Sequence, residues 1–179
     1  MFFISAIALL LGLVTNGWTT HAVFSVYRSS MLNPLTYVRL IGHVFGHANL
    51  EHFLGNMLLL LVVGPPLEEK YGSGPLAVGI LVTAVLSGIL HMVLFPSVAL
   101  MGASGIVFMM IMLASLCGMK NGKIPLTLIL VAILYLGQEV YAIVFIKDNV
   151  ANCMHIVGGA CGTVFGYGVT PKHRLTQRF

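Results

Sequence analysis

The sequence predicts an all-α fold, a polytopic membrane protein of six transmembrane helices bundled in one domain over residues 1–179. Three observations lead there. The 179 residues are 58% hydrophobic and only 8% charged, too few charges to coat a soluble domain of this length. The apolar residues gather into six stretches divided by proline, glycine and charged turns. Only five carboxylates occur: Glu51, Glu68, Glu69, Glu139 and Asp148. The net charge of +4 is spread along the chain without a basic stripe, so nucleic acid is not an expected partner. Cys117, Cys153 and Cys161 lie in apolar stretches at spacings unlike those of metal sites. They read as small membrane-helix residues.

The first span runs from Met1 to about Trp18, near the lower length limit for crossing a bilayer. It lacks a basic n-region and more spans follow, so it is expected to be a retained helix rather than a signal peptide. No cytoplasmic domain is expected before it. Residues 19–49 are too polar and broken to span. Arg28, Pro34, Arg39, His43 and His47 stand among Phe24, Tyr27, Tyr37 and Phe45, a mixture suited to the headgroup region. A long, partly helical loop in the interface is expected, and loops of that length usually have a function.

The second span runs from Leu50 to about Leu67, ended by Pro65-Pro66 and Glu68-Glu69-Lys70. Gly72-Ser73-Gly74-Pro75 is a tight turn. The third span covers Leu76 to Leu94, and an uncharged loop follows from Phe95 to Ala103. The fourth runs from Ser104 to about Gly118, before Lys120-Asn121-Gly122-Lys123. The fifth opens at Pro125 and ends near Ile146. After Lys147-Asp148-Asn149, the sixth runs from about Ala151 to Thr170, and a basic tail closes the chain. Six spans put both termini on one side, with Lys70, Lys120, Lys123, Lys172, Arg174 and Arg178. Arg28, Arg39 and Lys147 fall on the other. That bias favours cytoplasmic termini.

The fourth span draws attention for its length and its opening. Fifteen residues cover only about 23 Å, less than a bilayer core of about 30 Å. The loop before it must dip into the membrane, where irregular backbone survives only beside protein or water. The opening reads Met101-Gly102-Ala103-Ser104-Gly105. A hydroxyl there could attack a carbonyl, and the free N–H groups of the helix mouth could hold an oxyanion. Small residues are also common where transmembrane helices pack closely.

Depth separates these readings. Ser104 lies about 24 Å from Lys120, His155 about 26 Å from Lys172, and His52 about 24 Å from Glu68, if each stretch is helical. The second, fourth and sixth spans run in the same direction, so three polar residues share one level. Polar groups inside a membrane are costly and usually functional. His52 and Asn56 stand four apart on one helical face, and both can donate hydrogen bonds. His155 heads a stripe with Gly158, Gly162 and Gly166 that lets a neighbouring helix approach. If that neighbour is the fourth span, the imidazole can take the Ser104 proton and return it to a leaving amine. A histidine satisfied by a helix backbone is the alternative. No carboxylate stands at this level, so the most the residues offer is a Ser-His dyad.

Metal chemistry fits less well. His47-x-x-x-Glu51-His52 has one residue too many for H-x-x-E-H. His43 and His47, four apart, could share a helical face as ligands. Packing and interface hydrogen bonds suit them better, and no metal site is expected.

These residues resemble the rhomboid family of intramembrane serine proteases, in its six-helix bacterial form, from about Tyr37 to Gly166. Arg39 with His43-x-x-x-His47 is similar to the family's first-loop signature, and His47-x-x-x-x-His52-x-x-x-Asn56 to its second-helix pattern. Glu68 followed by Gly72-Ser73-Gly74 resembles the turn after that helix. Gly102-x-Ser104-Gly105 resembles the nucleophile motif, and His155-x-x-Gly158-x-x-x-Gly162 the general-base motif. The resemblance implies Ser104 as nucleophile and His155 as base. It implies an oxyanion and substrate-binding site from His52, Asn56, Gly102, Ala103 and the Ser104 N–H. It also implies cleavage of transmembrane segments of other proteins near their extracytoplasmic end, without a cofactor, in a bacterial inner membrane. Where many relatives carry a tyrosine that stacks on the base, this chain has Phe108. A non-catalytic, client-binding relative is the alternative, but inactive members lose the serine or the histidine, and this chain keeps both.

Overall fold

The computed structural model describes residues 1–116, 126, 130 and 149–169. Cys117, the expected turn at Lys120–Lys123, Glu139, the Lys147-Asp148 turn and the basic tail lie outside the described residues. So does the fifth span, apart from Leu126 and Leu130. Among the described residues all regular structure is helical, with one isolated antiparallel bridge between Val26 and Leu100.

Helix α1, Phe2–Val14, ends four residues before the expected limit of the first span. The cause is a corner. Asn16 and Gly17 take left-handed backbone angles (φ 50° and 84°), and the Gly17 N–H reaches back to the Gly12 carbonyl at 2.7 Å. The short α2, Trp18–Ala22, leaves in a new direction. An extended stretch carries the Val26 bridge. Helix α3, Pro34–Gly42, then opens on Asn33, whose side chain accepts from the Leu35 N–H at 3.0 Å. A 3₁₀ turn, His43–Phe45, completes the outer segment. Residues 19–49 are therefore partly helical.

Helix α4, Leu50–Tyr71, is capped by the Asn49 side chain on the His52 N–H at 2.8 Å. It does not stop at Pro65-Pro66, as the sequence suggests. The prolines cost two helical hydrogen bonds, but the following turn is held from outside. Leu67 is fully buried in the core, Ser73 Oγ donates to Glu68 Oε1 at 2.6 Å, and the Gly72 N–H closes on the Glu68 carbonyl at 2.8 Å. The expected four-residue turn shrinks accordingly. Gly72 alone, at φ 82°, forms the corner, and α5 already spans Ser73–Leu94. Pro75 sits in the first turn of α5, where its missing N–H has no helical partner to lose. Both α4 and α5 have the length and composition to cross a membrane.

Helix α6, Ser104–Leu116, lies at the centre, against α4, α5 and α7, which covers Asn149–Val169. It supplies Ile106, Met109, Met110 and Leu113 to a core shared with Val44, Leu67, Leu76 and Ala84. The outward faces of α1, α4 and α5 are apolar, with Ile7, Leu10, Leu58, Val62 and Val82 all exposed. Such faces suit a lipid environment.

Candidate active site

The loop before Ser104 is pinned at three points. His91 Nε2 donates to the Val98 carbonyl at 2.9 Å. Leu100 and Val26 exchange two backbone bonds of 2.9 Å. The Gly102 N–H donates to the His43 carbonyl at 2.9 Å. Gly102 has φ 129°, a conformation that L side chains rarely adopt. Ala103 is fully buried with Leu9, Phe53 and Met57. The first helical bond of α6 runs from the Val107 N–H to the Ala103 carbonyl. The N–H groups of Ser104, Gly105 and Ile106 therefore precede the ladder and have no helical acceptor. Ser104 itself is half-buried.

Helix α7 lies against α6 with its backbone in contact. A Cβ at Gly158 would fall on the Gly105 carbonyl oxygen, and one at Gly162 on that of Met109. One at Gly166 would meet the side chains of Leu113 and Leu116. Each four-residue step on α7 matches a four-residue step on α6, so the two helices run parallel. His155, one turn before Gly158, comes to the opening turn of α6. Its ring lies flat on Phe108, centroid to centroid 4.4 Å with 5° between planes. Phe108 is four residues, one turn, after Ser104.

The third wall is the start of α4. A Cβ on Gly102 would lie 2.8 Å from His52 Nε2 and 3.7 Å from Asn56 Nδ2. Both nitrogens thus converge beside the nucleophile loop, and only a glycine leaves room for them. Asn56 is buried, and its Nδ2 has no hydrogen-bond partner among the described residues. The His47 ring packs edge-on to His52 (5.1 Å) and to Phe53 (5.4 Å).

The outer segment brings two neutral imidazoles. His43 Nδ1 donates to the Arg39 carbonyl and His47 Nδ1 to the Phe45 carbonyl, each at 3.1 Å. Burial lowers both pKa values from 6.5 to about 4, with the neighbouring His91 and His52 adding to the effect for His43 and His47 respectively. The helical pair imagined for these two histidines does not form. His43 closes α3, and His47 lies beyond the 3₁₀ turn. Arg39 is buried, with Nε donating to the Ala22 carbonyl at 2.8 Å and its guanidinium 4.4 Å above the Tyr27 ring.

The family model for the Rhomboid domain matches residues 34–172. The chain belongs to the rhomboid family. It is therefore an integral membrane protein with a polytopic helical bundle. It is 33% identical over 159 residues to Rhomboid-related protein 2 of Mus musculus, covering 76% of this chain and 52% of that one. It is 32% identical over 155 residues to Rhomboid-related protein 1 of Caenorhabditis elegans, covering 78% and 42%. It is 30% identical over 140 residues to Rhomboid protease GlpG of Serratia proteamaculans, covering 76% and 49%. The chain spans about half the length of these rhomboid relatives.

Of the residues singled out in the sequence, the rhomboid fold brings His52, Asn56 and Gly102 to one point. Ala103 is packed behind that point, Ser104 opens α6, and His155 of α7 stacks on Phe108 one turn further along α6. Sequence reasoning missed His91. The signal was present as Thr83-x-x-x-Ser87-x-x-x-His91, a polar stripe at helical spacing inside an apolar span, and all three are buried. It also missed the Val26–Leu100 bridge, which leaves no mark in residue types.

Proposed function

We propose that this chain is an intramembrane serine protease that hydrolyses peptide bonds in or near transmembrane segments of other membrane proteins. Ser104 is the nucleophile and His155 the general base of a dyad. The observation that carries this reading is the packing of the α7 glycine stripe on α6, which sets His155 on Phe108, one turn from Ser104. The Rhomboid family match and the likeness to a protein named a rhomboid protease support it.

The steps follow from the groups present. His155 takes the Ser104 proton while Oγ attacks the scissile carbonyl. The oxyanion that forms is held by the Ser104 N–H, His52 Nε2 and Asn56 Nδ2 in the space left open by Gly102. His155 then protonates the leaving amine. Water, deprotonated by the same ring, frees the acyl group. No cofactor or metal enters. Phe108 keeps the stacking partner of the base and removes the hydroxyl that a tyrosine would add. The proposed unit is one domain over 1–179 in a bacterial inner membrane, with cytoplasmic termini. The interfacial loop at about 19–49 and the mouth of α6 then face the extracytoplasmic side.

The test is cleavage of a model transmembrane substrate in proteoliposomes. Ser104→Ala and His155→Ala should each abolish turnover. The double variant should be no worse than either, because residues acting as one unit are non-additive. Normal cleavage by Ser104→Ala would overturn the assignment. An inert parent protein that still holds the substrate would point to client binding instead.

A further inference from the structure

Two side chains serve the proposed oxyanion site, and they are held differently. Asn56 is buried, so its surroundings fix its amide. His52 is only half-buried, in the first turn of α4. The last torsion of a histidine is broad and roughly two-fold, so nothing within that residue aims Nε2 at the space beside Gly102. The Asn49 cap secures the His52 backbone N–H but not its ring.

One neighbour confines that ring. His47 lies edge-on to it, with centroids 5.1 Å apart and 69° between planes. His47 is itself fixed on several sides. It is 2% exposed, and it packs at 89° on Phe53, the residue after His52. Its Nδ1 donates to the Phe45 carbonyl at 3.1 Å. The backbone just before it is pressed on the Phe24 carbonyl, where a Cβ on Gly46 would fall. Neither ring nitrogen is bonded to His52: Nδ1 is given to Phe45, and Nε2 has no hydrogen-bond partner among the described residues. What His52 receives from His47 is therefore a wall, not a hydrogen bond. His47 also borders a cavity of about 450 Å³. Without the His47 ring, the His52 imidazole would stand beside open space and would be free to swing away from Gly102.

We infer that His47 is a positioning residue for the oxyanion donor, a rigid ring that confines the His52 imidazole to the orientation in which Nε2 faces the space beside Gly102. The inference rests on the protease reading above, with His52 as a donor. His47 touches no reacting atom. It acts through His52, because a donor must be in place before the charge develops, and a misplacement of about 1 Å can cost about 10²-fold in rate.

The test separates ring shape from hydrogen bonding, with kcat, KM and thermal unfolding read in proteoliposomes. His47→Ala removes both. It should lower kcat about tenfold or more and leave KM within about twofold, the pattern of an interaction made only in the transition state. His47→Gln keeps a donor for the Phe45 carbonyl and removes the ring. It should melt closest to the parent and yet lose kcat as alanine does. His47→Phe keeps the ring and removes the donor. It should melt lower, with kcat restored to within about threefold of the parent. A merely structural role predicts the reverse order of activity, glutamine above phenylalanine, and that result would overturn the proposal even if the alanine variant failed to fold. In a His52→Ala background, His47→Ala should lower kcat no further. A second full loss would place its action elsewhere and overturn the proposal as well. A parent without turnover would fail the protease reading itself, and the His52 ring would then be read directly by histidine-selective NMR in micelles. Its imidazole signal should be single and sharp in the parent and in His47→Phe, and broadened or doubled in His47→Ala. A signal equally sharp in His47→Ala would show that the ring needs no wall.

Discussion

Helices α6 and α7 meet backbone to backbone, at Gly105 with Gly158 and at Met109 with Gly162. The outer segment meets the nucleophile loop differently, through a few backbone hydrogen bonds: a reciprocal pair between Val26 and Leu100, and one from the Gly102 N–H to the His43 carbonyl. The first contact is a long seam with no room for error. The second is a set of point attachments, each replaceable in principle by water. The difference assigns the two regions separate tasks. The seam sets His155 on Phe108, one turn from Ser104, whereas the attachments fix the loop beside His52 and Asn56. Damage to the seam should remove fold and chemistry together. Damage to the attachments should change rate before fold.

The largest effect is expected at the seam. Gly158→Val drives a side chain into the Gly105 carbonyl, which cannot move without shifting α6. Overpacking against backbone should cost about 3 kcal/mol or more and abolish cleavage, read by thermal unfolding in detergent and by turnover. Gly55→Ala is the matched control. Its added methyl meets nothing within 4 Å, so stability should change by no more than about 1 kcal/mol. A tolerated Gly158→Val would break the comparison.

Next comes Gly102→Ala, on the loop side. The methyl would crowd His52 Nε2 at a backbone angle unsuited to alanine. Turnover should fall about 10²-fold while the protein remains folded, the reverse of the pairing expected at Gly158. Equal losses of fold at both sites would erase the distinction.

Arg39→Lys should be milder. The Nε bond to Ala22 and the stacking on Tyr27 need a planar guanidinium. A loss of about 1–2 kcal/mol is expected, with turnover reduced less than threefold or so.

The outer segment also carries a pH dependence. His43 and His47 have folded pKa values of about 4 against 6.5 for an ordinary, solvated imidazole. The unfolded chain binds protons first as the pH falls. Their contribution is therefore full above 6.5 and is lost as the pH drops from 6.5 through 4. The unfolding midpoint should decline over that window, and less steeply in His43→Gln. A flat profile from pH 7 to 4.5 would contradict the buried, neutral assignment.

Phe108→Tyr should do least. The ring stack on His155 is retained, so turnover within about threefold of the parent is expected.

The same contrast explains what could be read from the residues alone. The seam is written in the sequence, because close helix approach demands small residues at a fixed period, and His155-x-x-Gly158-x-x-x-Gly162 states both the face and the spacing. The level shared by His52, Ser104 and His155 followed from helical rise and the charged ends of the spans. The attachments were not readable. Val26 with Leu100, and Gly102 with His43, are joined through backbone groups that every residue possesses. The continuation of α4 past Pro65-Pro66 was hidden for a related reason. Local propensity argues for a stop, and the burial of Leu67 with the Glu68–Ser73 bond overrides it. His91 was legible as part of a buried polar stripe, though its partner, the Val98 carbonyl, was not.

The central claim is that Ser104 is activated by His155 across the seam. Its most direct test is labelling with a fluorophosphonate, with the modified residue located by mass spectrometry. The account predicts a single adduct on Ser104, lost in His155→Ala and formed more slowly in Asn56→Ala. An adduct on another residue, or Ser104 labelled at an undiminished rate in His155→Ala, would contradict it.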